Sequence, residues 1–236
     1  MTKKISSSFL VFLSTVILIC SAYVYDFYRA SNEALSLINE ESYVEVESNE
    51  MIVFPAENAS TGIIFYPGGK VQCEAYAPLM SLCAKENIFC VIVRMPGNLA
   101  VLNMDAAKGI QNHFPEINKW YLAGHSLGGS MAASYVKKTE EVYDGIILLA
   151  SYSTADLSKL NIEALSMYGS EDKVLDMEKY EECSSNLPKK YTEFIIEGGS
   201  HAYFGSYGEQ EGDGEALISQ NEQLEIAAKQ IVEFVK

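Results

Sequence analysis

From residue 62 onward, short continuous apolar runs alternate with longer segments of helical periodicity. The runs are five or six residues long and rich in β-branched side chains, which favours strands buried on both faces. Strands that alternate with helices form a mostly parallel sheet, because parallel neighbours need a crossover connection. We therefore predict an α/β fold, with strands at residues 62–66, 89–93, 120–124, 145–150, 164–169 and 191–196.

Helical patterns separate these runs, and an alternating segment precedes them. Residues 43–48 and 51–54 alternate apolar and polar side chains, which predicts a hairpin that turns at Asn49 and Glu50. A short helix near Lys179 is also expected. A short connecting helix is predicted at residues 30–42, and the other predicted helices cover residues 74–85, 101–112, 127–137 and 215–235.

The N-terminus carries a charge-free apolar run of 21 residues, 5–25, preceded by Lys3 and Lys4. As a helix this run would be about 31 Å long, enough to cross a bilayer. The two lysines favour a cytoplasmic N-terminus, which places the rest of the chain outside the membrane. We expect an uncleaved transmembrane anchor. Two alternatives stay open: a signal peptide cleaved after Ala22, with secretion of the remainder, and a lipid attached to Cys20.

Charge and cysteine spacing exclude several classes of partner. The chain has 17 basic and 32 acidic residues, a net charge of −15, so we expect no nucleic-acid binding. Cys73, Cys83, Cys90 and Cys183 lack the spacing of metal ligands, and we expect neither a metal nor a cofactor. Small buried thiols are the simplest interpretation of Cys83 and Cys90, but the sequence leaves the disulfide state open, and the oligomeric state as well.

The segment GHSLG, which begins at Gly124, lies directly between a predicted buried strand and an alanine-rich helix. In this context two glycines permit a tight turn that projects the serine between them, Ser126. The five-residue pattern alone is common, and its position between strand and helix is what makes it informative. We predict that Ser126 is a nucleophile.

A serine hydroxyl needs a base, and the base needs a carboxylate to orient it. On such a fold the chain order is serine, acid, histidine, which selects His201, in the loop after the last strand. His113 and His125 are expected to pack away from the site. The loop after the preceding strand contains Glu171 and Asp172. We favour Asp172 because it lies one residue further into the loop, before burial resumes at Val174; Glu171 is then a solvated neighbour.

Acyl transfer also requires hydrogen-bond donors for the developing oxyanion. One predicted donor is the backbone N–H of Leu127, the residue after the serine. The other belongs to FYPGGKV, the segment that ends the first parallel strand; Gly69 is favoured there and Lys70 is the second choice. These two backbone groups form the predicted oxyanion hole.

The combination of FYPGGKV, GHSLGG, GSED and GGSHAYFGSYGEQEGDG resembles the α/β-hydrolase superfamily over about three quarters of the chain. It is most similar to a bacterial branch of small, often membrane-anchored enzymes akin to dienelactone hydrolases. The resemblance implies a triad of Ser126, Asp172 and His201, with Gly69 and Leu127 as oxyanion donors. Dienelactone hydrolases use a cysteine nucleophile where this chain has serine, so their substrate class does not carry over.

These observations predict a hydrolase domain at residues 43–236, preceded by an anchor at 1–28 and a linker at 29–42. Only residues 151–163 separate two strands where many lipases insert a helical cap, so we expect a minimal cap and small or short-acyl ester substrates. Cleavage of amides or peptides, and a binding protein without activity, are the alternatives. The acidic loop 206–216 lacks the spacing of a calcium loop, and the resemblance places it at the rim of the site, beside His201.

Overall fold

The computed structural model describes residues 9, 12–16, 18, 25–39, 42–46, 49–139 and 142–236. Within them, eight strands form one sheet: β1 (Tyr43–Val46), β2 (Asn49–Phe54), β3 (Thr61–Tyr66), β4 (Phe89–Val93), β5 (Lys119–His125), β6 (Gly145–Leu149), β7 (Glu163–Gly169) and β8 (Lys190–Ile196). The principal α-helices of the same part of the chain are α1 (Asn32–Ser36), α2 (Ala77–Lys85), α3 (Ile110–His113), α4 (Leu127–Thr139), α5 (Met177–Cys183) and α6 (Gln220–Val235).

The strand order is β1-β2-β4-β3-β5-β6-β7-β8. Strand β2 is antiparallel to both of its neighbours, and all pairs from β4 to β8 are parallel. The predicted mostly parallel sheet is confirmed. Its carboxyl-terminal edge is where loops from several strands meet, and binding sites of open parallel sheets lie there.

Apolar side chains of the central strands pack on both faces of the sheet. On β3, Ile63 and Phe65 contribute to a core that includes residues of α2 and α6. Ile64 and Tyr66 contribute to a second core, on the other face, that includes residues of α4. All six residues of β3 are buried, which explains why its sequence is continuously apolar rather than alternating.

One predicted helix, 101–112, is largely wrong, because only its last part is α-helical, as α3, and its first two residues belong to a short 3₁₀ turn, Ala100–Leu102. The buried hydroxyl of Tyr66 donates to the carbonyl oxygen of Met104 (2.7 Å) and accepts from the amide of Ala107 (2.9 Å). These bonds hold the backbone in consecutive turns. Gly109 then adopts a positive φ of 80° directly before α3, which a continuous helix would not allow.

The hairpin and two helices also differ from those predicted. Of the helix predicted at residues 30–42, the described residues form only Asn32–Ser36, as α1. The expected turn at Asn49 and Glu50 is wrong, because both residues belong to β2 and Asn49 pairs with Val46 across the hairpin. The last helix begins five residues later than predicted. Its first turn is capped by Ser219, whose Oγ accepts from the amide of Glu222 at 3.2 Å.

The predicted membrane-spanning run, 5–25, and the alternative lipidation site at Cys20 fall largely outside the described residues. Among the residues that are described, no helix combines the length and the apolar character needed to cross a bilayer. Residues 150–162, all of which are described, join β6 to β7 without an α-helix.

Residues 26–31, called the N-terminal strap below, pack against the domain. The Tyr28 amide donates to the carbonyl of Lys70 (2.8 Å), and the Tyr28 carbonyl accepts from the amide of Gln72 (3.0 Å). The Ser31 amide donates to the carbonyl of Ser206 (2.8 Å). The strap therefore joins the loop after β3 to the loop after β8.

Candidate active site

Ser126 occupies a strained turn between β5 and α4. Its φ is +50°, in the left-handed region that costs a non-glycine residue about 1–3 kcal/mol. A Cβ at Gly124 would lie 2.6 Å from backbone atoms of Gly128 and Gly129, and one at Gly128 would lie 2.3 Å from the carbonyl oxygen of Tyr66. Strand and helix approach so closely only because both positions are glycine, and this approach holds the turn that exposes the serine.

Strand register brings three loops to this turn. Gly124 is paired with Tyr66 of β3, and His125 with Leu149 of β6. The amide of Ser126 donates to the carbonyl of Leu149 at 2.9 Å. The loops that follow β3, β5 and β6 are therefore neighbours at the carboxyl-terminal edge of the sheet.

Asp172 and His201 form a buried pair. The imidazole Nδ1–H of His201 donates to Oδ2 of Asp172 over 2.8 Å, and both side chains are almost inaccessible to solvent. The second oxygen, Oδ1, accepts from the amides of Val174 (2.9 Å) and Leu175 (2.8 Å). The carboxylate is thus oriented by three donors. Nε2 of His201 is buried and has no hydrogen-bond partner in the described part of the chain, so it is available to accept a proton.

Close contact between the ends of β7 and β8 brings this pair together. A Cβ at Gly169 would lie 2.2 Å from backbone atoms of Gly199, and the amide of Glu171 donates to the Gly199 carbonyl at 2.8 Å. The side chain of Glu171 is half-buried and accepts from the hydroxyl of Ser170 at 3.0 Å. Of the two predicted carboxylates, the structure places Asp172 against His201.

Ser126 and His201 line one cavity of about 240 Å³. Its other lining residues are mainly small or apolar, with one carboxylate: Leu127, Ser130, Ala150, Ser151, Tyr152, Val174, Leu175 and Asp176. A larger cavity, about 440 Å³, lies on the acidic loop 206–216 but contains neither Ser126 nor His201. Of these two cavities, the smaller one is therefore the candidate substrate site.

Gly69 lies against Leu127, since a Cβ at Gly69 would come within 2.9 Å of Leu127 Cδ2. Neither backbone N–H donates to another backbone carbonyl in the described part of the chain. The amide of Lys70 donates to the carbonyl of Asn98 at 2.8 Å. Of the two choices in the loop after β3, Gly69 therefore has the N–H that is available to a substrate oxygen.

Asp213 is a residue of the site that sequence reasoning missed. One of its oxygens accepts from the amides of His201 (3.2 Å), Lys173 (3.3 Å) and Gly214 (2.8 Å), and the other from the amide of Ala202 (2.9 Å). This carboxylate ties the loop of Asp172 to the loop of His201. The sequence signal was the acidic loop at the rim, which did not distinguish Asp213 from its neighbours. No cluster of potential metal ligands occurs within the described residues.

The other two histidines occupy different environments. His113 is exposed on α3, so the prediction that it packs is wrong. His125 is buried, as expected, but its ring lies 4.6 Å from the ring of His201 rather than away from the site. Burial, together with the nearby His201, lowers the pKa of His125 well below its ordinary value. His125 therefore stays neutral.

The four cysteines of the domain are free thiols. Cys73, Cys83 and Cys90 are buried and Cys183 is half-buried. Burial and the adjacent Glu74 raise the pKa of Cys73 to about 12. A thiol that is protonated at neutral pH is a poor nucleophile, and Cys73 does not line the serine cavity.

A serine on a strand-to-helix turn, above a doubly covered parallel sheet, defines the class of α/β hydrolases. A sequence model described as the alpha/beta hydrolase family matches residues 62–225, and the chain belongs to that family. No curated protein matches the chain in sequence.

Solved structures share the fold at low sequence identity. Est1E from Butyrivibrio proteoclasticus has a TM-score of 0.61 and 12% identity, over 81% of this chain and 96% of its own. Carboxylesterase CesB from Bacillus subtilis has a TM-score of 0.61 and 14% identity, over 86% and 94%. Naproxen esterase from Bacillus subtilis has a TM-score of 0.61 and 12% identity, over 87% and 95%. At these identities the likeness concerns the fold.

Proposed function

We propose that this protein is a serine hydrolase acting on small or short-acyl carboxylic esters. Two observations carry the proposal: Asp172 binds and orients the imidazole of His201, and His201 and Ser126 line the same cavity. Family membership supports hydrolytic chemistry. Two structural neighbours are named as carboxylesterase and esterase, which agrees with an ester substrate.

In this mechanism Ser126 Oγ attacks the ester carbonyl while Nε2 of His201 takes the hydroxyl proton. The amides of Gly69 and Leu127 stabilise the negative charge that develops on the carbonyl oxygen. His201 then gives the proton to the leaving alcohol, and an acyl group remains on Ser126. Water, activated by the same imidazole, releases the acid and regenerates the serine.

The cavity supports a substrate that is small and uncharged. Its volume of about 240 Å³ lies below the usual range for drug-sized ligands, about 300–1,000 Å³. The short connection between β6 and β7 adds no helical cover for a long acyl chain. Among the lining residues there is no lysine or arginine, so an anionic ester would lack a counter-charge.

For the location we propose a membrane anchor formed by residues 5–25, with the domain on the extracytoplasmic side, as in the membrane-anchored branch that the motifs resemble. The charge pattern of the N-terminus supports this orientation. Secretion after signal cleavage is the alternative. Membrane fractionation with an antibody to the domain separates the two: an anchored chain stays in the membrane after high-salt and carbonate washes, whereas a cleaved chain appears outside the cell.

A fluorophosphonate probe tests the enzymatic proposal. The wild-type protein should label on Ser126, and the Ser126→Ala variant should not, while Ser130→Ala, at a second serine of the cavity, should label normally. Esters of graded acyl length should then show a kcat/KM that falls for long chains. Labelling with cleavage of amides but not esters would support the peptidase alternative, and a folded wild-type protein that does not react would support the binding alternative.

A further inference from the structure

Two buried side chains that the proposed mechanism does not use, Tyr76 and His125, join the oxyanion loop to the catalytic histidine. The amide of Gly68 lies 3.0 Å from the hydroxyl of Tyr76, and that hydroxyl lies 2.8 Å from Nδ1 of His125. Nε2 of His125 lies 3.0 Å from the backbone carbonyl oxygen of His201. Tyr76 is fully buried and His125 is 1% exposed, so these hydrogen bonds form away from solvent.

The direction of every hydrogen bond in this series is determined by its two ends. The carbonyl oxygen of His201 can only accept, so Nε2 of His125 carries the proton. In a neutral imidazole Nδ1 is then an acceptor, and the hydroxyl of Tyr76 donates to it. The oxygen of Tyr76 in turn accepts from the Gly68 amide. Only this arrangement gives every donor and acceptor in the series a hydrogen-bond partner.

The groups around His125 favour the neutral form that this arrangement needs. Its ring faces Tyr76, Phe204 and the ring of His201. Burial holds the pKa of His125 below its ordinary value, so the neutral tautomer persists when His201 becomes charged. A Cβ at Gly68 would lie 2.7 Å from the Tyr76 hydroxyl and 2.8 Å from Nδ1 of His125, so glycine is needed there for the series to close.

The connected groups are close to both parts of the proposed machinery. Gly68 directly precedes Gly69, a proposed oxyanion donor. On the other side, the N–H of His201 is held by Asp213, and its carbonyl is held by His125. The peptide groups on both sides of the His201 Cα are therefore fixed by side chains from different elements.

Resting on the proposed serine-hydrolase function, we propose that His125 is a positioning residue: through Tyr76 it keeps the oxyanion loop and the backbone of His201 in a fixed relation. Loss of the connection misplaces the base relative to the serine and the oxyanion donor. A misplacement of about 1 Å costs up to about 100-fold in rate. The effect falls on kcat, because neither side chain lines the cavity that binds substrate.

The kinetic test uses Tyr76→Phe, His125→Leu and His125→Gln on the full chain, with p-nitrophenyl acetate as substrate. Tyr180→Phe is the matched control, because it also removes a buried hydroxyl, one that lies 2.8 Å from Ser166 Oγ and outside the series. We expect kcat to fall about 10- to 100-fold in Tyr76→Phe and His125→Leu, with little change in KM. His125→Gln, which keeps an N–H donor, should recover part of the activity. The double variant, Tyr76→Phe with His125→Leu, should have the same kcat as His125→Leu alone, since both changes interrupt the same series of hydrogen bonds.

A second measurement needs no activity. In ¹⁵N spectra of the histidine side chains, His125 should be neutral with its proton on Nε2, and Tyr76→Phe should shift its Nδ1 resonance. Normal kcat in folded Tyr76→Phe and His125→Leu would overturn the proposal, and so would a proton found on Nδ1. If the wild-type protein neither labels nor hydrolyses esters, the proposed function fails, and the ¹⁵N result still decides whether the series exists.

Discussion

Asp172 holds His201 through Oδ2 at 2.8 Å while its other oxygen accepts two backbone amides of its own loop. The two amides therefore orient the carboxylate independently of its contact with the imidazole. This arrangement fixes Nδ1 of His201 as the donor and leaves Nε2 as the acceptor, and the proposed mechanism depends on that tautomer.

Asp172→Asn should reduce kcat by about 10³- to 10⁴-fold with the fold retained, because an amide in place of Oδ2 favours the wrong tautomer of His201. Glu171→Gln is the control and should change kcat little, since Glu171 contacts Ser170 rather than the imidazole. The rates are measured with a short-acyl ester and the fold by circular dichroism. Equal losses in the two variants would contradict the role of Asp172.

Asp213→Asn should slow the reaction and lower stability, although residue 213 does not line the serine cavity. Both carboxylate oxygens of Asp213 accept hydrogen bonds from backbone amides. In the Asp213→Asn variant an NH₂ group replaces one of these oxygens and faces a backbone N–H, which lowers the free energy of unfolding by about 1–3 kcal/mol. Glu209→Gln, on the same loop, is the control. Urea unfolding gives the free energy of unfolding, and steady-state kinetics give kcat; an Asp213→Asn protein equal to Glu209→Gln in both would rule out this role.

The stability of the protein should fall on acidification partly because of His125. Burial lowers the pKa of this imidazole in the folded protein, whereas in the unfolded chain it is about 6.5. Below about pH 6.5 the unfolded state binds the proton and the folded state does not, so stability is lost by up to about 1.4 kcal/mol per pH unit. The carboxylates act in the same way in wild type and in His125→Gln, so the difference between their unfolding free energies isolates His125. That difference should change between pH values of about 8 and 5, and a constant difference would contradict the prediction.

The N-terminal strap should matter for catalysis even when no membrane is present. Two shortened chains test this, one beginning at Tyr25 and one at Asn32. The second loses the hydrogen bonds of Tyr28 to Lys70 and Gln72 and that of Ser31 to Ser206, each contributing about 0.5–1.5 kcal/mol. We expect it to have a lower Tm and a kcat about 10-fold lower. Without the strap Lys70 is no longer held in place, and the adjacent oxyanion loop shifts with it.

The chain that begins at Tyr25 retains those bonds and should match the full-length protein in detergent. The ion pair of Lys70 with Asp26 is largely exposed and should contribute little, so Asp26→Asn serves as a further control. Full activity in the chain that begins at Asn32 would show that the strap has no part in the site.

Local pattern predicted much of the fold. The strands from β3 to β8 were predicted within about two residues. For β3 to β7 the reason is that side chains buried on both faces leave a largely apolar run in the sequence, whereas β8 is mostly exposed. The same reasoning failed for residues 101–112. There the buried hydroxyl of Tyr66, from β3, forms hydrogen bonds with backbone groups of the segment, and these bonds replace those of the helix that the local pattern predicts. The position of Ser126, Asp172 and His201 at one edge of the sheet could also be predicted, because each residue follows a strand of a parallel sheet.

Sequence alone thus determined the class of sheet and the edge at which the candidate site lies, since the alternation of strands and helices and the apolar character of each strand are local properties of the chain. Tertiary structure decided what holds those residues in place. The contacts of Asp213 with His201, of His125 with Tyr76, and of the strap with both loops join positions that are distant in sequence. Such contacts depend on strand register and on loop paths, and no local periodicity encodes either of them.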